Sequence, residues 1–279
     1  MGAVIGVLVG TIFILSGVGM NKPQVAAFKT AGTYDAYLRG ETLRVVTPCL
    51  VLGTVIFLWA GLILKTKFPK VAEEAEPAAT RSHGKGSDLI HYPHFVRGVI
   101  AQFLYVGAPV GTWSYFIQYI QDYTHQPEKI AGYFLTGTLV AFGVGRFSAT
   151  YFMKFIPPAQ LMGVYGIINV ALVCIGDLFP GWLGSGAVFT TSFFMSLMFP
   201  TIFALEIKDL GPNTKLGGSI LIMSVVGAAT APPVMGLIFQ ATHSMAIAML
   251  GPMACYTFVT YYAFYGSRPG VPELAAVGV

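Results

Sequence analysis

Charged residues are scarce in this sequence. Of its 279 residues only 10% are Asp, Glu, Lys or Arg, whereas 55% are hydrophobic, and the mean hydropathy is +0.69. A soluble globular domain carries about 25% charged residues, so this supply is too small to cover the surface of a soluble fold of this size. The hydrophobicity also excludes an intrinsically disordered chain. The composition therefore predicts an integral membrane protein.

Cysteines and catalytic motifs are equally sparse. The three cysteines, Cys49, Cys174 and Cys255, lie inside apolar runs without CxxC spacing, so neither a disulfide framework nor a metal site is expected. The sequence has no P-loop, no HExxH and no GxSxG with partner residues. Its net charge of +4 comes from loop residues. We therefore expect no enzyme activity, no cofactor, no metal and no nucleic-acid partner.

Long uncharged runs fill most of the chain. A helix needs about 20 apolar residues to cross the hydrocarbon core, and continuous apolar runs favour helices over the alternating strands of a barrel. The first run lacks a basic lead-in and a convincing cleavage site, so we interpret it as a span and not a signal peptide. The sequence thus predicts an all-α protein with eight transmembrane helices, over 2–21, 45–64, 98–121, 130–153, 155–176, 178–205, 216–242 and 244–267.

A polar stretch separates two of these spans from the other six. Its composition is typical of a linker, which divides the chain into two helices (1–66), a linker (67–93), a six-helix bundle (94–267) and a tail (268–279). The side of the membrane that carries the linker also collects most of the lysines and arginines. By the positive-inside rule, the linker and both termini are predicted to be cytoplasmic.

Two prolines occupy corresponding places in the six-helix bundle. Pro109 lies in the first helix of the first three, and Pro200 lies in the first helix of the second three. Each removes a backbone hydrogen bond and permits a bend. Matching interruptions are typical of transporters and favour a gating role, although prolines are also generally commoner in membrane helices. Arg146, a basic residue inside the fourth run, is assigned a structural or gating role at the cytoplasmic end.

Aromatic and amide side chains follow Pro109. Trp113, Tyr115 and Gln118 offer aromatic faces for the C–H patches of a sugar and an amide that both donates to and accepts from hydroxyls. The residues alone leave open a second interpretation, in which interfacial aromatics accompany glutamines that pack between helices. No carboxylate falls in the middle of a span. Glu206, close to Lys208 and Asp209, is interpreted as a solvated charge at a helix end.

Several stretches resemble the fucose permease branch of the major facilitator superfamily. They are 193–205 (FFMSLMFPTIFAL), 206–211 (EIKDLG), 214–219 (TKLGGS), 227–236 (GAATAPPVMG), 107–118 (GAPVGTWSYFIQ) and 145–147 (GRF). Members are bacterial sugar–proton symporters with twelve helices in two halves. The resemblance implies a major facilitator-like bundle in which the eight spans correspond to helices 5–12. It implies that helices 1–4, where the acidic residues of the family lie, are absent. It also implies that Trp113, Gln118 and Phe199 lie at the central cavity.

The resemblance implies sugar transport across the bacterial inner membrane by proton-coupled symport and alternating access. The expected partners are a monosaccharide, a proton and the lipid bilayer, and the expected state is a monomer. L-fucose or a related hexose is the expected substrate, with glucose or galactose as the alternative. A different hypothesis is a complete eight-helix protein that is channel-like or serves as a membrane scaffold. The predicted substrate-binding residues are Trp113, Tyr115, Gln118 and Phe199, and the predicted gating or structural residues are Pro109, Arg146 and Pro200.

Overall fold

The computed structural model describes residues 6–7, 10–14, 34–66, 89, 92–208, 210 and 213–267. These residues are almost wholly helical, and no strand occurs among them. Short π-helical turns occupy Gly10–Ile14 and Tyr262–Gly266, and a 3₁₀ turn, Ser224–Val226, joins α7 to α8. The prediction of an all-α protein is confirmed. The α-helices are α1 (Tyr34–Lys65), α2 (Pro93–Thr124), α3 (Glu128–Phe152), α4 (Pro158–Leu178), α5 (Trp182–Met195), α6 (Met198–Ile207), α7 (Thr214–Met223), α8 (Gly227–Thr242), α9 (Met245–Ala248) and α10 (Leu250–Tyr261).

Six helical segments of the described residues are long and apolar enough to cross a membrane. They correspond to the second and to the fourth to eighth predicted spans. The first predicted span, 2–21, lies mostly outside the described residues. The third corresponds to α2, which has 32 residues but a lower hydropathy than the six. The six are Val46–Lys65, Glu128–Phe152, Pro158–Leu178, Trp182–Ile207, Thr214–Thr242 and Met245–Gly266.

Helix α2 lies at the centre of the bundle. It packs against α3, α5, α6, α8 and α10, and it has buried residues along its whole length. This position explains its lower hydropathy, because side chains that contact other helices need not be as apolar as those that contact lipid. Gln102, Thr112 and Tyr119 are polar residues of α2 that are all almost completely buried.

Glycines allow the closest approaches between helices. Gly227, at the start of α8, lies so near the backbone of α2 that a Cβ atom there would overlap the carbonyl group of Phe103. Conversely, a Cβ at Gly107 of α2 would lie 3.1 Å from the carbonyl oxygen of Gly227. Small residues at such contacts are typical of membrane helices, whose association depends on close packing.

The predicted span 178–205 is interrupted in the structure. It starts with a turn in which Gly181 has a φ of 139°, as the Pro–Gly pair predicts. Helix α5 then ends at Met195, and α6 begins at Met198. Pro200 explains this break, because its nitrogen cannot donate to the carbonyl of Ser196 and its ring crowds that carbonyl. By contrast, α2 continues through Pro109 without interruption.

Helix α1 exposes apolar side chains along its length. None of its most apolar window is buried, and Phe57 and Leu64 are 81% and 87% exposed. Such a surface is suited to contact with lipid. The predicted linker, 67–93, lies almost entirely outside the described residues, so the division into domains stays a prediction.

Candidate functional site

Trp113 lies where three helices meet. It is half-buried on α2, and its indole Nε1 donates a hydrogen bond to Ser192 Oγ on α5 at 3.2 Å. Its ring packs edge-on against Phe142 of α3, with centroids 5.4 Å apart. An indole held by both a hydrogen bond and an edge-to-face contact presents a fixed aromatic surface. The predicted role of stacking on a sugar requires such a surface.

Arg146 extends this group of side chains along α3. It lies one turn after Phe142, and its guanidinium carbon is 5.6 Å from the centroid of the Phe142 ring, which is a cation–π distance. Arg146 is exposed, so its N–H groups remain accessible. We refer to Trp113, Phe142 and Arg146 as the Trp113–Arg146 row.

A cavity of about 200 Å³ adjoins this row next to the break between α5 and α6. Arg146 lines it from α3, and Leu197, Pro200 and Thr201 line it from the break and the start of α6. Two of the predicted gating residues, Arg146 and Pro200, therefore border the same cavity. The third, Pro109, is buried inside α2 and does not line it.

Phe199 lies on the first turn of α6, directly after the break. Its ring is parallel to that of Phe203, with an interplanar angle of 5°, and its centroid is 6.4 Å from that of Tyr105 on α2. The Tyr105 hydroxyl donates to the carbonyl of Met195 at 2.7 Å, close to the end of α5, where carbonyls lose their helical partners. Tyr105 thus connects α2 to the break. Sequence reasoning missed it, although a tyrosine in an apolar run signals a buried hydroxyl that needs a partner.

Tyr115 belongs to a different surface of α2. Its hydroxyl donates to the carbonyl of Pro232 on α8 at 3.1 Å, and Gly236 provides space for it. Gln118 is half-buried, one turn beyond Tyr115 on α2. The structure therefore does not gather all four predicted substrate residues at one place. Trp113 lies on the side of α2 that faces α3 and α5, and Phe199 of α6 contacts α2 at Tyr105. Tyr115, by contrast, faces α8.

Glu206 corrects one of the sequence interpretations. It is only 1% exposed and accepts a hydrogen bond from the hydroxyl of Tyr262, so it is not a solvated charge at a helix end. The interpretation relied on its charged neighbours in the sequence, but these do not determine the direction of the side chain. Lys208 is exposed, while Glu206 points toward α2, where Gly98 has no side chain to occupy the space.

Ligands for a metal ion are not gathered anywhere in the described part of the chain, where no group of three His, Cys, Asp or Glu side chains could hold one. Its three cysteines are free, and the Cys174 thiol contacts the sulfur of Met253. The polar groups that line the cavity are the Arg146 guanidinium and the hydroxyls of Thr150 and Thr201.

Comparison with known proteins reveals relatives along nearly the whole chain, although no family model matches it. The chain is 34% identical over 270 residues to the L-fucose-proton symporter of Escherichia coli K12. The aligned residues cover 96% of this chain and 62% of the relative. It is 30% identical over 240 residues to the glucose/galactose transporter of Brucella abortus, covering 84% of this chain and 56% of the relative. The chain thus spans less than two thirds of the length of these relatives.

Solved structures give the same result for the fold. A crystal structure of the fucose:proton symporter of E. coli matches with a TM-score of 0.68 and 33% identity, covering 96% of this chain and 66% of that one. A second structure, of a major facilitator superfamily transporter in the outward conformation, matches with a TM-score of 0.66. The fold is therefore a major facilitator-like bundle of membrane helices, and sequence and fold both make the chain similar to the fucose permease branch of that superfamily, as its motifs implied. These relatives and structural neighbours are transporters and not enzymes.

Proposed function

We propose that this chain takes part in proton-coupled symport of L-fucose or a related hexose, with glucose or galactose as the alternative substrate. The names of its relatives support the class of substrate. The observation that carries the proposal is the Trp113–Arg146 row, whose Arg146 end lines a cavity beside an interrupted helix. Discontinuous membrane helices are where many transporters bind their substrates.

The predicted residues have different parts in binding and movement. Trp113 and Phe199 offer aromatic faces to the sugar, and the Arg146 guanidinium and the Gln118 amide offer hydrogen bonds to its hydroxyls. Tyr115 contributes through packing, because the Pro232 carbonyl already accepts its hydrogen. The break between α5 and α6 lets α6 tilt during alternating access, which gives Pro200 its gating role.

We further infer that the chain works as a monomer in the bacterial inner membrane, with both termini in the cytoplasm and residues 67–93 as the linker between two helical halves. The distribution of lysines and arginines supports this orientation. The exposed apolar side chains of α1 support contact with the lipid bilayer.

Uptake of labelled sugar tests the proposal. The whole reading frame is expressed in bacteria that lack a fucose carrier, and entry of radiolabelled L-fucose is followed with and without a protonophore, against a panel of competing hexoses. We expect saturable uptake that the protonophore abolishes, and the strongest competitor identifies the substrate. Flux that is indifferent to the protonophore would indicate a channel. Absence of flux from protein that reaches the membrane would favour a scaffold.

A further inference from the structure

Glu206 is a buried carboxyl group that the proposed sugar site does not use. It lies in the last turn of α6, where the Tyr262 hydroxyl donates to its Oε1. Its Oε2 is buried and has no hydrogen-bond partner among the described residues. Tyr262 is itself fully buried and begins the π-helical turn Tyr262–Gly266. Such turns frequently occur at functional sites.

Helix α2 packs against the Glu206 carboxyl from the side opposite α6. Gly98 touches the Glu206 carboxyl so closely that a Cβ atom would overlap it. Further along the two helices Tyr105 meets Phe199, so α2 and α6 run antiparallel. Gln102 lies between these two contacts on the same face of α2, is 0% exposed, and has no described hydrogen-bond partner for either amide atom. Polar atoms without a described partner thus lie on both sides of the interface between α2 and α6, Gln102 on α2 and Glu206 Oε2 on α6. We call this interface the seam.

The neighbouring cations do not face this carboxyl. At this end of the elements around it, the charged and titratable side chains are Lys208 just after α6, Arg97 and His94 of α2, Lys215 of α7, and Tyr262, whereas Asp122 lies at the opposite end of α2 and Tyr105 and Tyr256 are uncharged phenols further along the bundle. The two lysines and the arginine are exposed, and His94 is half-buried one turn before Gly98. Asp177 of α4 lies at the far end of that helix, near Tyr119. The direct partner is therefore a neutral phenol, which cannot balance a buried negative charge.

We propose that Glu206 is a proton-binding site inside the helix bundle, separate from the proposed sugar site. The carboxyl holds a proton while α6 packs against α2 and the C-terminal turn, with Oε1 accepting from Tyr262 and the Oε2–H directed into the seam lined by Gln102. When these segments separate, water reaches the group, the O–H bond breaks, the proton passes to water, and the carboxylate remains solvated. Glu206 therefore binds a proton when the seam closes and releases it when the seam opens.

Infrared spectroscopy of the purified full chain at mildly acidic pH tests the proposal. The wild type is compared with Glu206→Gln, which retains the shape of the protonated acid, and with Glu128→Gln, which changes an exposed glutamate at the start of α3. We expect the carbonyl band of a protonated carboxylic acid to be weaker in Glu206→Gln by one group and unchanged in Glu128→Gln. If Glu206→Gln instead loses only absorption of an ionised carboxylate, Glu206 does not hold a proton and the proposal is wrong.

Thermal unfolding as a function of pH gives a second, independent measurement. A proton that is bound in the folded state and lost in the unfolded state makes stability fall as the pH rises. An unfolded glutamate ionises above about pH 4.3, so we expect the wild type and Glu128→Gln to lose melting temperature between mildly acidic and neutral pH, and Glu206→Gln to lose less. Equal slopes in all three proteins would overturn the proposal.

Tyr262→Phe keeps the proposal testable if Glu206→Gln does not fold. Removing a hydroxyl that favours the ionised carboxyl should leave the protonated-acid band in place, and its disappearance would contradict the assignment. None of these measurements uses a sugar. The proton site and the proposed transport function can therefore fail separately, because loss of sugar uptake leaves the infrared result unchanged.

Discussion

The two sides of α2 hold their neighbours in different ways. The side of α2 that faces α8 is here called the α8 side. There Gly107 and Gly227 bring the two backbones together, and Gly111 leaves space for the Met235 side chain. Toward α3, α5 and α6, here called the break side, Tyr105 and Trp113 make hydrogen bonds of 2.7 and 3.2 Å to the residues around an interrupted helix. Backbone contacts tolerate no larger residue, whereas side-chain contacts can part and re-form. The comparison indicates a rigid α8 side and a break side that is able to move.

Gly227→Leu should have the largest effect, because its side chain would overlap the Phe103 carbonyl, and backbone cannot move aside as a side chain can. We expect a loss of stability above about 4 kcal/mol, which is exceptional for one substitution, and little monodisperse protein after extraction from the membrane. Size-exclusion chromatography measures the yield. Gly186→Leu is the matched control, since a Cβ there has nothing within 4 Å. Equal yields would show that the α8 side is not rigid.

Trp113→Ala tests the break side through its ligand. Removing the indole abolishes the proposed stacking surface as well as the contact with Phe142, and we expect the affinity for the sugar to fall at least about tenfold, equivalent to about 1.4 kcal/mol. Equilibrium dialysis with labelled sugar measures the affinity. Trp182→Ala is the control, because Trp182 is 59% exposed and lies on α5 beside Phe134. Unchanged affinity in Trp113→Ala would remove this residue from the sugar site.

Pro200→Ala addresses movement on the same side. Alanine restores a backbone N–H and removes the clash that ends α5, so the helix should continue and the rate of sugar exchange should fall several-fold with little change in affinity. Counterflow in proteoliposomes measures the rate. Pro109→Ala serves as the comparison, since α2 is already continuous there. If both substitutions slow exchange equally, the break has no special role.

Hydropathy predicted much of this fold, because contact with lipid is a property of each segment by itself. The turn at 179–181 has a separate local signal, because a Pro–Gly pair favours a turn there. The paired prolines were a weaker guide. Whether a proline interrupts a helix depends on the packing around it, and Pro109 is buried between helices whereas Pro200 is exposed.

The site was harder to predict than the fold, because its contacts join distant parts of the sequence. Phe142 and Ser192 hold Trp113 from two other helices, and no local pattern connects these positions. For the same reason the burial of Glu206 could not be predicted. It depends on a glycine in α2 and on Tyr262 at the end of the bundle, which only the tertiary structure brings together.

Tyr115→Phe should have the smallest effect and distinguishes packing from binding. The substitution removes one hydrogen bond, from the phenol to the Pro232 carbonyl, so we expect a loss of about 1 kcal/mol and a melting temperature lower by about 2–4 °C. Tyr133→Phe, at an exposed position on α3, is the control for the loss of a hydroxyl. Sugar affinity should be the same in both variants, because the α8 side supports the bundle without touching the ligand. A selective fall in affinity for Tyr115→Phe would instead extend the sugar site around α2 and end the distinction between its two sides.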